Sequence, residues 1–296
     1  KEGRTGTFIA EATYPAVTST DSGGNEVITG KAVPIHQGGY PVLIVIGSVS
    51  DSVRNYLNSK GYAVIEFDNG SVAADNASRT GAFYDVYPYG KTWTEQTGVL
   101  MAWSWGVSKI IDVLELDFNT SDKKLDISPV NTMVTGISRN GKAAAVAGAF
   151  EPRIKITVPG CSGAGGMACF RYDSAGKVYD YSMLTLEEFI DHQGVDTGTA
   201  TWKSYQENPN HTVGNNEPLS NLQSPSEGHW FNDKFLEFTN RYQLPFDQYF
   251  LASLAATEGR YYLITGEIHE GDWTNPAAMY VTYLAAQRVF DSLGLS

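Results

Sequence analysis

The segment YPVLIVIG, Tyr40 to Gly47, is apolar at almost every position. A strand with one wet face would alternate, so an unbroken apolar run belongs to a strand covered on both sides, as in a parallel sheet between two layers of helices. A second such run, GYAVIEFD, follows Ser50 to Lys60, a segment of the right length for a crossover helix. The pattern then repeats. TGVLMAWSWGVSKIIDVLEL, Thr97 to Leu116, has helical spacing, with Leu100, Trp103, Val107, Ile110, Ile111 and Leu114 on one stripe. NTMVTG reads as a strand, the alanine run after Ser138 as a helix, and RIKITVPG and RYYLITG as further strands. This alternation predicts an α/β fold, a three-layer sandwich around a mostly parallel, doubly wound sheet. Phe8 to Tyr14 reads as an edge strand, STDSGGNE as a turn, and Pro276 to Leu293 as the last helix. From about 175 to 249 the pattern weakens, which predicts an insertion over the carboxyl edge of the sheet within one domain spanning 1–296.

Charge narrows the partners. A net charge of −12 and a pI near 4.8 repel phosphate backbones, which argues against nucleic acid. No stretch of 18 apolar residues exists, so no membrane-spanning helix is expected. Six Trp, 17 Tyr and 13 Phe occur in proteins that handle sugars, but such a content more often serves plain core and surface packing. Two cysteines, Cys161 and Cys169, lack metal-site spacing, and no cofactor or metal is expected. A chain opening on Lys1 reads as a processed or excised product.

The chemistry concentrates at Gly136-Ile137-Ser138-Arg139-Asn140-Gly141, between a predicted strand and a predicted helix. A sharp strand-to-helix turn exposes a serine hydroxyl and points backbone N–H groups at a reacting carbonyl. The spacing is G-x-S-x-x-G, not G-x-S-x-G, and a serine there also serves as a helix N-cap.

The longer stretch GISRNGKAAAVAGAFEPRIKITVPGCSGAGGMACFRY closely resembles the bacterial type of the glucuronoyl esterases, carbohydrate esterase family 15, whose nucleophile sits in G-C-S-R-N/D-G-K-G-A. LMAWSWGVSKIIDVLE, NLQSPSEGHWF, LPFDQYFLASLAATEGRYYLITG and GDWTNP extend the resemblance over residues 40 to 295. It implies an α/β-hydrolase fold and a secreted serine esterase that cleaves esters between (4-O-methyl-)D-glucuronic acid on glucuronoxylan and lignin alcohols, in a parent protein that carries other modules. By motif, Ser138 resembles the nucleophile and Arg139 the oxyanion donor. Lys142, Gln223, Glu227 and Trp273 resemble sugar-contacting positions. A guanidinium suits a developing oxyanion, an ammonium suits hydroxyls, and an indole offers a flat face to a pyranose.

The departures are specific. Where fungal members have the triad's Glu, this chain has Cys161, and a thiol cannot stabilise an imidazolium as a carboxylate does. Some bacterial members resemble it in carrying the acid after a later strand, so Glu270 and then Asp272 are the acid candidates in GEIHEGDW, with Glu267 beside them. The family's catalytic histidine is expected past Ser296; among the five histidines within the chain, His269 is the best substitute and His229 the next. Ile137 stands where fungal members have a disulfide-bonded cysteine, and both thiols are expected to be reduced. Two other functions stay open. One is a different xylan-directed esterase, such as an acetyl xylan esterase, against which Lys142, Gln223 and Trp273 argue. The other is a non-catalytic carbohydrate-binding relative, motivated by Cys161 and the displaced histidine.

Overall fold

The computed structural model describes residues 3–35, 38–120, 125–172, 178–180, 210–212, 217–266 and 274–295. Its centre is a six-stranded sheet in the order β1-β5-β4-β6-β7-β10. These strands are β1 (Ala10–Thr13), β4 (Tyr40–Ile46), β5 (Ala63–Phe67), β6 (Ile127–Ile137), β7 (Ile154–Gly160) and β10 (Tyr261–Tyr262). The pairs within β5-β4-β6-β7-β10 are parallel, and β1 lies antiparallel at the edge against β5. A hairpin of β2 (Ala16–Thr20) and β3 (Glu26–Lys31) stands apart from the sheet, and β8 (Val178–Asp180) pairs with β9 (Asn210–Thr212).

The unbroken apolar runs divide by parity. Val42, Ile44 and Ile46 of β4, with Ile65 and Phe67 of β5, enter one large core. Leu43, Val45 and Val64 enter a smaller one with Leu57 of helix α1 (Asp51–Ser59) and Met133. Successive side chains of a strand point to opposite faces, so both faces of this sheet are dry, as the sequence predicts. The large core is closed by α4 (Val99–Phe118), which contributes Trp103, Val107, Ile111 and Leu114, and by α5 (Arg139–Phe150). Short helices α2 (Asn69–Val72) and α3 (Ala82–Val86) lie between β5 and α4.

Helix α5 explains its own alanines. Ala143, Ala144 and Ala147 face the large core, while Ala145 and Ala149 face a third cluster with Leu251, Ala252, Met279 and Ala286. That cluster brings in α7 (Tyr249–Leu254) and α8 (Pro276–Ser292). A helix buried on nearly every side needs small side chains so that its neighbours can approach. A Cβ on Gly148 would lie 2.2 Å from Thr157 Oγ1 of β7.

Within the region read as an insertion, 217–249 is built of single turns, among them α6 (Leu219–Leu222). Leu222, Trp230 and Leu244 nevertheless pack into the core of the sheet.

Candidate active site

Ser138 occupies the turn between β6 and α5 with φ 59° and ψ −127°. A non-glycine residue there is strained by about 1–3 kcal/mol, and such strain gathers at sites where geometry matters more than ease. The flanking glycines make the turn possible. A Cβ on Gly136 would come 2.4 Å from the carbonyl oxygen of Asn140, and one on Gly141 would come 2.3 Å from that of Gly160. The Ser138 N–H donates to Gly160 O at 3.0 Å, so the turn is moored to the end of β7. Lys142 N in turn donates to Ser138 O. The Ser138 hydroxyl has no hydrogen-bond partner among the described residues.

Arg139 opens α5 and is 54% exposed. Its Nε lies 2.8 Å from Oδ2 of Asp75, a residue the motifs do not point to. Oδ1 of Asp75 accepts from Trp230 Nε1 at 2.8 Å and lies 2.8 Å from His229 Nε2. Burial pushes the Asp75 carboxyl up, but the bonds from His229 and Trp230 and the Arg139 charge more than offset this and hold it below the usual carboxylate range. His229, weighed as a base, is 5% exposed. One ring nitrogen faces Asp75, and Nδ1 is buried without a partner, so neither contacts Ser138.

Lys142, expected to meet sugar hydroxyls, points into the protein in this structure. It is 1% exposed, and its ammonium donates to Glu217 Oε2 at 2.6 Å, Ala164 O at 2.6 Å and Ser162 O at 2.9 Å. All three protons are engaged inside the protein, leaving none for a sugar hydroxyl. The helix that carries it is buried almost all round, and the lysine is buried with it. Burial pushes the Lys142 ammonium down and the Glu217 carboxyl up. Three acceptors around Nζ, one of them a carboxylate, form a cage suited to the ammonium.

Gln223 is also turned inward. Its amide nitrogen donates to Phe235 O at 2.9 Å and Phe238 O at 2.8 Å, so only its carbonyl oxygen is left for a ligand. Glu227 is different. Its Oε2 is buried with no partner, and burial raises its pKa while Lys142, His229 and Arg139 pull it down. A buried acceptor without a donor fits a hydroxyl supplied from outside. Trp273, His269, Glu270 and Asp272, together with Glu267, lie outside the described residues.

Cys161 follows β7 with φ 41°, and its N–H donates to Thr265 O at 3.0 Å. Neither cysteine is disulfide-bonded; Cys169 is buried and Cys161 half-buried. Among the described residues, no group of three or more His, Cys, Asp or Glu is placed to hold a metal, and no helix is long and apolar enough to cross a membrane.

Comparison with known proteins shows the family in which this fold occurs. The family model for fungal glucuronyl esterase matches residues 17–195 and 189–294. The chain belongs to the glucuronoyl esterase family. A multidomain esterase of Ruminococcus flavefaciens is 43% identical over 267 residues, which is 88% of this chain and 31% of that protein. The 4-O-methyl-glucuronoyl methylesterase of Hypocrea jecorina is 35% identical over 240 residues, 80% of this chain and 42% of that protein. The chain thus spans less than half the length of these relatives. Among solved structures, a family 15 glucuronoyl esterase from Caldicellulosiruptor kristjansonii superposes with a TM-score of 0.74 at 37% identity, covering 99% of this chain and 65% of the other. The catalytic domain of the Hypocrea jecorina enzyme gives 0.58 at 30% identity, with 99% and 68% covered. The three-layer α/β-hydrolase architecture is therefore the family's own.

Proposed function

We propose that this domain hydrolyses esters of (4-O-methyl-)D-glucuronic acid, the linkage that joins glucuronoxylan to lignin alcohols. The observation that carries the reading is Ser138 held at positive φ with the Arg139 cation next to it, in a chain of this family. In this reading the Ser138 oxygen attacks the uronyl carbonyl. Backbone N–H groups of the turn and the Arg139 guanidinium receive the charge that develops on the carbonyl oxygen. The alcohol departs with the proton, and water then releases the glucuronate from the acyl-enzyme. Glu227, with its unpaired buried oxygen, takes a sugar hydroxyl, and Trp273 takes a ring face. Among the described residues no histidine contacts Ser138, so the base is assigned to His269 or to the family's histidine, with Glu270 or Asp272 as its acid. A polymeric plant-wall substrate lies outside the cell, so the reading includes secretion and, given the multidomain relative, companion modules.

The test is turnover of benzyl D-glucuronate by the full natural polypeptide and by its Ser138→Ala variant. Loss of about 10⁴-fold or more in the variant is expected. Release of acetate from acetylated xylan with no cleavage of the glucuronate ester would refute the proposal.

A further inference from the structure

The reaction proposed above turns a neutral ester into an anion. A lone guanidinium beside the nucleophile would hold the product carboxylate more firmly than the substrate, and turnover would suffer. The contacts of Asp75 bear on this.

Asp75 lies in the loop after α2, far in sequence from both Ser138 and His229. That loop is fastened to the turn containing His229 and Trp230. Arg79, at φ 55°, donates to Phe231 O at 3.1 Å and to His229 O, and its guanidinium sits 4.1 Å from the Tyr89 ring centroid. On the inner side, Asp75 Oδ1 meets Trp230 Nε1 and His229 Nε2, both on buried side chains. The carboxylate is 31% exposed and held by buried partners, whereas Arg139 is 54% exposed and approaches it with Nε 2.8 Å from Oδ2. The order of dependence follows: the fixed group is Asp75, and the group it fixes is Arg139.

We propose that Asp75 is a positioning residue that holds Arg139 by its Nε and balances its charge, so that the site stabilises a developing oxyanion yet releases the glucuronate product. The inference rests on the reading that Arg139 meets the uronyl group. With Nε beside the carboxylate, the two Nη groups, which make no hydrogen bond among the described residues, remain for the substrate. A partial charge that forms in place gains from prealigned donors, whereas a diffusing carboxylate gains mainly from net charge, which Asp75 cancels.

The test is a titration of D-glucuronate into the full polypeptide by calorimetry, using the wild type, Asp75→Asn, Arg139→Gln and the double variant. Asp75→Asn is expected to bind glucuronate about fivefold more tightly, a modest figure because the pair is half exposed and screened. The gain should vanish in the double variant. Turnover of benzyl D-glucuronate should fall about tenfold in kcat with KM little changed. Asp75→Glu, which keeps the charge and moves it, should bind product as the wild type does and lose kcat. This variant keeps the proposal open to refutation if Asp75→Asn does not fold.

Glucuronate binding no tighter in Asp75→Asn than in the wild type would overturn the proposal. So would tightening that persists without Arg139, or full kcat in Asp75→Glu. The titration needs no turnover. A wild type that binds glucuronate but cleaves no ester would therefore refute hydrolysis while leaving the positioning of Arg139 to be decided by the variants.

Discussion

Replacing Lys142 with methionine separates two roles that the motif alone cannot. If the ammonium served sugar hydroxyls, its loss would cost activity and leave the fold intact. The structure instead buries it to 1% exposure, with Glu217, Ser162 and Ala164 accepting its three protons at 2.6–2.9 Å. Methionine fills much of the same volume, so the cavity term is small. What remains is a buried Glu217 carboxylate without its cation, and breaking a buried pair from one side costs about 3–5 kcal/mol. For a chain of this size that corresponds to a fall in melting temperature on the order of 10 °C. Changing Glu217 to Gln in the same chain removes the stranded charge, and the double variant should recover most of the loss. The measurement is thermal or urea unfolding of the wild type, Lys142→Met, Glu217→Gln and the double variant. A Lys142→Met protein melting within about 2 °C of wild type, yet inactive on glucuronate esters, would refute the reasoning and return Lys142 to the substrate.

Three further outcomes follow from the same geometry. Ser138→Gly should be more stable than Ser138→Ala by about 1 kcal/mol or more, because glycine accepts φ 59° and alanine does not; equal unfolding midpoints would show the turn to be unstrained. Gly141→Ala should yield little folded protein or a loss of about 3 kcal/mol, since its Cβ would meet Gly160 backbone, which a chemical-denaturation curve would reveal. At the other end of α5, burial pushes the Glu151 carboxyl up, but hydrogen bonds from Arg153 and Ser108 more than offset this and its pKa is depressed. Its contribution is therefore complete above the ordinary glutamate range, near pH 4.3, and is lost as the pH falls through the lower folded value. Glu151→Gln should be less stable than wild type at neutral pH and should show a shallower loss of stability below about pH 4.5, measured as unfolding midpoint against pH.

The strands and main helices were legible because burial on both faces leaves an unmistakable record: no polar residue interrupts Val42 to Ile46. The hairpin of β2 and β3 was not, since most of its residues are exposed and no alternation marks them. Ser138 was legible through its glycines, each of which has a backbone atom where a Cβ would go. The site's surroundings were harder. Asp75 is one acid among 33 acidic residues in a polar loop, joined to Arg139 and His229 only by the fold. The burial of Lys142 had a signal in the run of alanines after it, because a helix apolar on every side takes its lysine inside as well. Gln223 carried no such sign, since its two acceptors, Phe235 O and Phe238 O, belong to backbone that any sequence would supply.

Beyond the sheet proper, Ser138 N reaches Gly160 O and Cys161 N reaches Thr265 O. Three neighbouring chain segments are thus laced side by side into one stiff ledge. The serine's position is therefore set by residues on two other segments, not by its own turn alone. A change that slips any one of these segments would carry the other two with it, so the serine is guarded by backbone far from it in sequence.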